Sequence, residues 1–244
     1  MDITAADPVT AWWKMTTAVM NQPRPASFHT VARIGTSDVA VGAVEIVDAL
    51  LSERDLQSVG TVANTIFPTA IAASSDGVAD LGRRYRALYP RLRQFTKNKQ
   101  GTYFGRLVAY PQGSDTKDQL THTVEKLRTE AAGNHFSSRY ECAIYDPESD
   151  STQTMGFPCL SSCAFHLDAQ ERTVHLLAVY RNQYLIERGL GNYIGLANLR
   201  DYIAREAGLE PGELMVVAGH ASVDVGKTAL RPVLEEIAEL IGAG

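Results

Sequence analysis

The sequence predicts an α+β protein: a mostly antiparallel, twisted sheet flanked by helices. Three observations carry this reading. Segments rich in β-branched residues and segments with helical apolar spacing follow one another without a regular βαβ alternation. The runs "CLSSCAFHLD" and "RTVHLLAVYRN", joined by the turn Asp168-Ala169-Gln170-Glu171, read as a hairpin of long antiparallel strands. The composition, 45% hydrophobic and 21% charged over 244 residues, is that of a globular chain with a substantial core. No linker or internal repeat divides it, so residues 1–244 read as one domain.

Taken in order, Asp7 is placed to cap a first helix with Pro8 at its first position, running through "VTAWWKMTTAVM" and stopping before "NQPRP". "FHTVARIG" and "VAVGAVEIVDAL" are rich in β-branched residues and read as strands, the second with a helical option at its end. "DLQSVGTVANTIFPTAIAA" reads as a buried helix interrupted near Pro68. "GVADLGRRYRALYPRLRQF" reads as a basic amphipathic helix whose apolar face is Leu81, Tyr85, Leu88 and Leu92. The next helix, in "SDTKDQLTHTVEKLRTEAAGN", has Ser114 or Asp115 as its cap, Leu120, Val124 and Leu127 as its stripe, and Gly133-Asn134 as its end. "SRYECAIYD" and the hairpin follow. "LGNYIGLANLRDYIAREAG" is a helix ended by Gly208, "ELMVVAGHASVDV" a strand, and "LRPVLEEIAELIG" a closing helix.

The net charge of -5 gives no electrostatic reason to expect nucleic acid or an anionic membrane as partner. The first residues lack the basic and apolar regions of a secretory signal. No apolar run reaches the roughly 18 residues of a membrane span. Three cysteines, Cys142, Cys159 and Cys163, are too few for a disulfide scaffold, so a reducing cytoplasm is the simplest setting. No metal is expected. Cys159 and Cys163 lie about 13 Å apart if both are on one strand, beyond disulfide reach.

Four features stand out for chemistry: Cys159 at the start of a strand, Arg139, Arg181-Asn182 at a strand end, and Asn192 opening a helix. Each also has a plain structural explanation. Cys159 suits core packing, Asn192 suits an N-terminal cap, and His220 suits a hydrogen-bonded core position. As a set they describe a site. A thiolate nucleophile needs a nearby cation, converging arginines suit a phosphate, and a carboxamide can read the edge of a uracil-like base. Together they describe a pyrimidine nucleotide attacked at an electron-poor ring carbon.

From Tyr103 to Val223 the chain resembles thymidylate synthase and the related nucleotide hydroxymethylases. Pro158-Cys159 matches the family's Pro-Cys motif. Arg181-Asn182-Gln183-Tyr184 followed by Gly191-Asn192 is similar to its run from arginine to Phe-Asn, with the arginine-to-asparagine spacing kept. Gly208-Leu209-Glu210-Pro211-Gly212-Glu213 and "GTYFGRL" also resemble family segments. The resemblance implies a thymidylate-synthase-like fold and a homodimer. It further implies that Cys159 attacks C6 of a pyrimidine nucleoside monophosphate, and that C5 then receives a carbon from 5,10-methylenetetrahydrofolate. It assigns Arg181 to the phosphate and the thiol, Arg139 to the phosphate of the partner subunit, Asn192 to a uracil-type base edge, and Arg24 to the phosphate. Tyr103 stands beside the position of the family's catalytic tyrosine.

The departures imply an altered reaction. Asn182 replaces the phosphate-binding serine, Tyr184 the folate-contacting aspartate, and Asn64 the catalytic glutamate. His220, Ser222 and Asp224 occupy the sugar-binding end, and Tyr140 replaces the second arginine of the pair that Arg139 begins. The sequence stops at Gly244 without the tail that closes over folate in the family. Hydroxymethylation is therefore favoured over reductive methylation. A homologue that binds a nucleotide, or does folate-independent thiol chemistry on one, stands as the third reading.

Overall fold

The computed structural model describes residues 1–111, 115–133, 140–153, 156 and 158–243. It opens with β1 (Asp2–Ala5) and α1 (Pro8–Met20). Asp7 caps α1 as expected, accepting the Thr10 backbone N–H at 2.9 Å. β2 (Ala26–Ile34) follows. The next segment is a helix, α2 (Val41–Ser52), not a strand. Its β-branched residues favour a strand locally, but Ala43, Val47, Leu50 and Leu51 are buried at helical spacing. Tertiary packing of that stripe overrides propensity.

α3 (Val59–Ile66) and α4 (Thr69–Ala73) are the two halves of the interrupted helix, with Pro68 between them. α5 (Gly77–Leu92) buries Val78, Leu81, Gly82, Tyr85 and Tyr89, and leaves Leu88 on the exposed side. Its stripe is thus rotated from the expected one. A single 3-10 turn, Thr96–Asn98, leads to α6 (Tyr103–Val108), which the sequence reading did not foresee. α7 (Gln119–Glu130) has the expected stripe, but its cap is Asp118, which accepts the Thr121 N–H at 3.0 Å. Asp118 is held there by Arg86 at 2.6 Å. Ser114 and Asn134 lie outside the described residues.

β3 (Tyr140–Ala143) and α8 (Pro147–Asp150) precede the hairpin of β4 (Leu160–Asp168) and β5 (Thr173–Tyr180). The hairpin turn is as predicted, with Asp168 Oδ1 accepting the N–H groups of Gln170 and Glu171. β6 (Gln183–Tyr184) runs into one π-helical turn, Leu185–Gly189, and then α9 (Leu190–Ala207). Gly208 ends α9 with φ 72°, a left-handed cap that glycine adopts without strain. β7 (Glu210–Ser222) and α10 (Lys227–Leu240) complete the described structure.

The strands form one sheet in the order β1-β2-β7-β5-β4-β3, with β6 pairing to β7. β2–β7, β5–β4 and β4–β3 are antiparallel and carry most of the paired residues; β1–β2 and β5–β7 are parallel. The class is therefore mixed α+β with a mostly antiparallel sheet flanked by helices. One sheet face is buried, with Ile34, Leu176, Ala178, Leu214 and Val216 among its residues. α9 packs against β5 and β7, and α1 against β1 and β2. Along the other face, Leu177 pairs with Met215 and Val179 with Val217, and all four are half-buried. Among the described residues no helix is long and apolar enough to cross a membrane.

α9 approaches α3 closely because Gly191 and Gly195 face it. A Cβ on Gly191 would lie 2.6 Å from Val62 Cβ and 2.7 Å from the Val59 carbonyl oxygen. A Cβ on Gly195 would lie 2.7 Å from the Ala63 carbonyl oxygen. This contact places Asn192 of α9 beside Val62 and Thr65 of α3 on the wall of one cleft.

Candidate active site

Cys159 sits in a bend just ahead of β4, half-buried. The β4–β5 register shifts between Leu160 and Ser162, and the Ser161 carbonyl accepts both the Ile144 and Tyr145 N–H groups. Such an irregularity re-aims neighbouring side chains. Across the hairpin, the Arg181 N–H donates to the Cys159 carbonyl at 2.9 Å, and Arg181 Nε donates to the Pro158 carbonyl at 3.1 Å. The arginine is thus clipped to the backbone that carries the thiol.

Tyr103, at the start of α6, approaches from a third side. Thr102 caps that helix, accepting the Gly105 N–H at 3.0 Å, and the Tyr103 ring meets Tyr180 edge-on at 6.4 Å. Burial pushes the Tyr103 hydroxyl up to about 12; the neighbouring Cys159 thiol adds to this, while backbone bonding and Arg188 oppose it. Burial also raises the Cys159 thiol, and Arg181 and Arg188 pull it back only in part. The resting group is therefore a neutral thiol held beside two cations, not a preformed thiolate.

These residues line a cleft of about 760 Å³, within the range of small-molecule sites. Of the positions chosen from sequence, Cys159, Tyr103, Arg181, Asn182, Asn192 and His220 all lie on it. Asn182 and His220 touch each other, Oδ1 to Nδ1 at 2.7 Å, and the His220 ring lies 5.2 Å from Phe28. Asn192 is not an N-terminal cap. It lies inside α9, its side chain is buried, and its Oδ1 has no hydrogen-bond partner among the described residues.

The other choices fall elsewhere. Arg24 is on the exposed turn before β2, and Ser222 ends β7, paired with Ala26 and Tyr184. The Asp224 carboxylate accepts the N–H groups of Ile186 and Glu187, both at 2.9 Å. It caps the π-helical turn. Burial raises this carboxyl despite those bonds. Asn64 is likewise structural: its Oδ1 accepts from Thr69 and its Nδ2 donates to Gly60, bracing the break between α3 and α4. Arg139 lies outside the described residues. Cys163 faces Cys142 across β3–β4, both buried, so neither is paired with Cys159.

Several cleft residues escaped the sequence reading. Arg188, within the π-helical turn, bonds Gln57 Oε1 at 2.5 Å and Glu187 Oε1 at 2.9 Å. Gln183 is 2% exposed and its Nε2 has no partner among the described residues. Arg106 forms a buried two-pronged pair with Asp150, at 2.6 and 2.9 Å, and also donates to the Ile144 and Gln100 carbonyls. The available signal was a charged Glu187-Arg188 inside the otherwise apolar run "LIERGLG". Among the described residues no cluster of His, Cys, Asp and Glu is placed to hold a metal ion.

No protein-family model matches the chain. A curated protein of Methanopyrus kandleri, named "Putative thymidylate synthase", is 32% identical over 136 residues. The matched stretch is 56% of this chain and 58% of that protein, so the chain spans less than two thirds of the relative's length.

Proposed function

We propose that this protein transfers a one-carbon unit to C5 of a pyrimidine nucleoside 5′-monophosphate, with hydroxymethylation the favoured outcome. The observation that carries the reading is the meeting of Cys159, Arg181, Tyr103 and Asn192 on one cleft. The name of the Methanopyrus kandleri relative supports one-carbon transfer to a pyrimidine nucleotide. A thymidylate-synthase-like fold, with residues 1–244 as one such domain, belongs to the same proposal.

In this mechanism the Cys159 sulfur adds to C6, and C5 becomes nucleophilic. The thiol is neutral at rest, so its proton must leave as the sulfur attacks. Arg181 and Arg188 stabilise the charge that develops. Arg181 also meets the phosphate, with Asn182 and His220 beside it, and Asn192 reads the base. The Tyr103 hydroxyl, protonated across the physiological range, is available as a donor near the reacting sulfur. After the carbon joins C5, the C5 hydrogen leaves as a proton and the carbon parts from its carrier as an exocyclic methylene. Water adds to that carbon as the Cys159 sulfur leaves C6. Arg181 and Tyr184 are exposed on the cleft, leaving it open to water as the final nucleophile.

The one-carbon donor implied by the resemblance is 5,10-methylenetetrahydrofolate, which supplies carbon at the oxidation level of formaldehyde. Tyr184, 46% exposed, offers a ring face to a pterin. Glu187 is the one carboxylate among the described residues of the cleft, and it matches a pterin's donor edge. These two residues would hold it. The homodimer, with Arg139 and Arg24 completing the phosphate contacts and Ser222 and Asp224 at the sugar end, belongs to the same proposal. It is supported by the half-buried apolar sheet face of Leu177, Val179, Met215 and Val217.

The product decides between outcomes. Purified protein incubated with UMP, dUMP or CMP, formaldehyde and tetrahydrofolate is expected to yield a nucleotide heavier by CH2O without dihydrofolate. A gain of CH2 with dihydrofolate would establish reductive methylation, which the relative's name favours. No modified nucleotide from any of the three would overturn both.

A further inference from the structure

Gln183 and Asn192 are the two carboxamides that line the cleft while being almost wholly buried, 2% and 3% exposed. Burying an unpartnered amide atom is unfavourable, yet among the described residues both side chains carry one: Nε2 of Gln183 and Oδ1 of Asn192. The orientation of Gln183 is set from outside the cleft. The Tyr193 hydroxyl donates to its Oε1 at 3.5 Å, which leaves Nε2 as the spare group. Backbone pairing of Gln183 with Ala221 anchors the residue. The cleft therefore presents a spare donor and a spare acceptor, each lacking a partner among the described residues.

We infer that Gln183 is a specificity-determining residue that reads the ring carbonyl left free when Asn192 pairs with a uracil-type base. This rests on the reading of the cleft as a pyrimidine nucleotide site. A uracil ring presents acceptor, donor, acceptor along one edge: a carbonyl, the N3–H, and a second carbonyl. Asn192 Oδ1 accepts the N3–H, and its amide nitrogen donates to one flanking carbonyl. Gln183 Nε2 donates to the other. Cytosine lacks the N3–H and carries an amine in place of one carbonyl, so it pairs with Asn192 only if that amide turns over. Tyr193, one residue after Asn192, acts on Gln183 as a positioning residue.

The test compares calorimetric binding of UMP, 2-thio-UMP and 4-thio-UMP, sulfur being a poor hydrogen-bond acceptor. Gln183→Met keeps the side-chain length, and Gln183→Leu serves as a second variant, with thermal melts confirming folding of each. Loss of the Gln183 bond is expected to weaken UMP about tenfold, the equivalent of about 1.4 kcal/mol. It is also expected to abolish the penalty on one thio-analogue while keeping that on the other. Equal weakening of all three nucleotides would show a merely structural role and overturn the inference, as would unchanged binding. If the wild type binds none of the three, the nucleotide reading itself falls and takes this inference with it. A wild type that binds normally with unaltered discrimination in the variants sinks the inference alone.

Discussion

Cys159 is raised by its own burial more than two arginines lower it, so its reactivity depends on those cations. Alkylation by iodoacetamide, which proceeds through the thiolate, should therefore rise with pH and reach its midpoint above an ordinary thiol. In Arg188→Gln the midpoint moves further up and the rate at pH 7 drops several-fold. A midpoint that stays put or moves down would show that Arg188 does not act on the thiol. Cys142 and Cys163 are buried and should remain unlabelled in the folded protein. At this scale the sequence was informative where chemistry lies close along the chain. Pro158-Cys159 and Arg181-Asn182 belong to one predicted hairpin, and they meet. Gln183 and Arg188 were missed because their significance comes from distant partners: Tyr193 across a turn, and Gln57 in the segment before α3. The backbone partners of Asp224, Ile186 and Glu187, are likewise invisible without the fold.

At the scale of elements, α3 and α9 set the width of the cleft, and the glycines between them set their separation. Adding one methyl at Gly191 requires Val62 or the Val59 carbonyl to move. Gly191→Ala is expected to cost about 1–3 kcal/mol by overpacking, read as a lower midpoint in urea. Nucleotide binding should weaken as well, because Asn192 moves with the helix; an unchanged midpoint would contradict the close contact. The hairpin, α1 and the Gly208 end of α9 were legible because turns and caps are local events. α2 was misread because valine and isoleucine favour strands until a neighbouring helix buries one face. β1 is short, and pairing with β2 defines it rather than its own composition.

Two features bear on the whole molecule. Arg106 and Asp150 tie α6 to α8 with both side chains only 3% exposed. Burial alone would raise the Asp150 carboxyl, but bonds from Arg106 and the Asp146 backbone hold it below the usual 3.8. A depressed folded pKa contributes stability above the unfolded value, and that contribution is lost as pH falls through the folded one. Stability should therefore decline once the pH drops below about 4. Asp150→Asn, which leaves Arg106 buried and unpaired, should cost roughly 3–5 kcal/mol and flatten this acid dependence. Retained acid sensitivity in that variant would point to other carboxylates. The second feature is the half-buried face of Leu177, Val179, Met215 and Val217, which suits a second copy of the chain. Sedimentation is expected to give a dimer that Val217→Arg converts to monomer; a monomeric, active wild type would refute the assembly.

The central claim is that the Cys159 sulfur adds to the pyrimidine ring and frees its C5 hydrogen. It is tested most directly with UMP and dUMP tritiated at C5, in the presence of formaldehyde and tetrahydrofolate. Wild-type protein is expected to release tritium to water. Cys159→Ala is expected to bind the same nucleotide and release none. Tritium that stays on a nucleotide bound by the wild type, or leaves equally fast with Cys159→Ala, would contradict it.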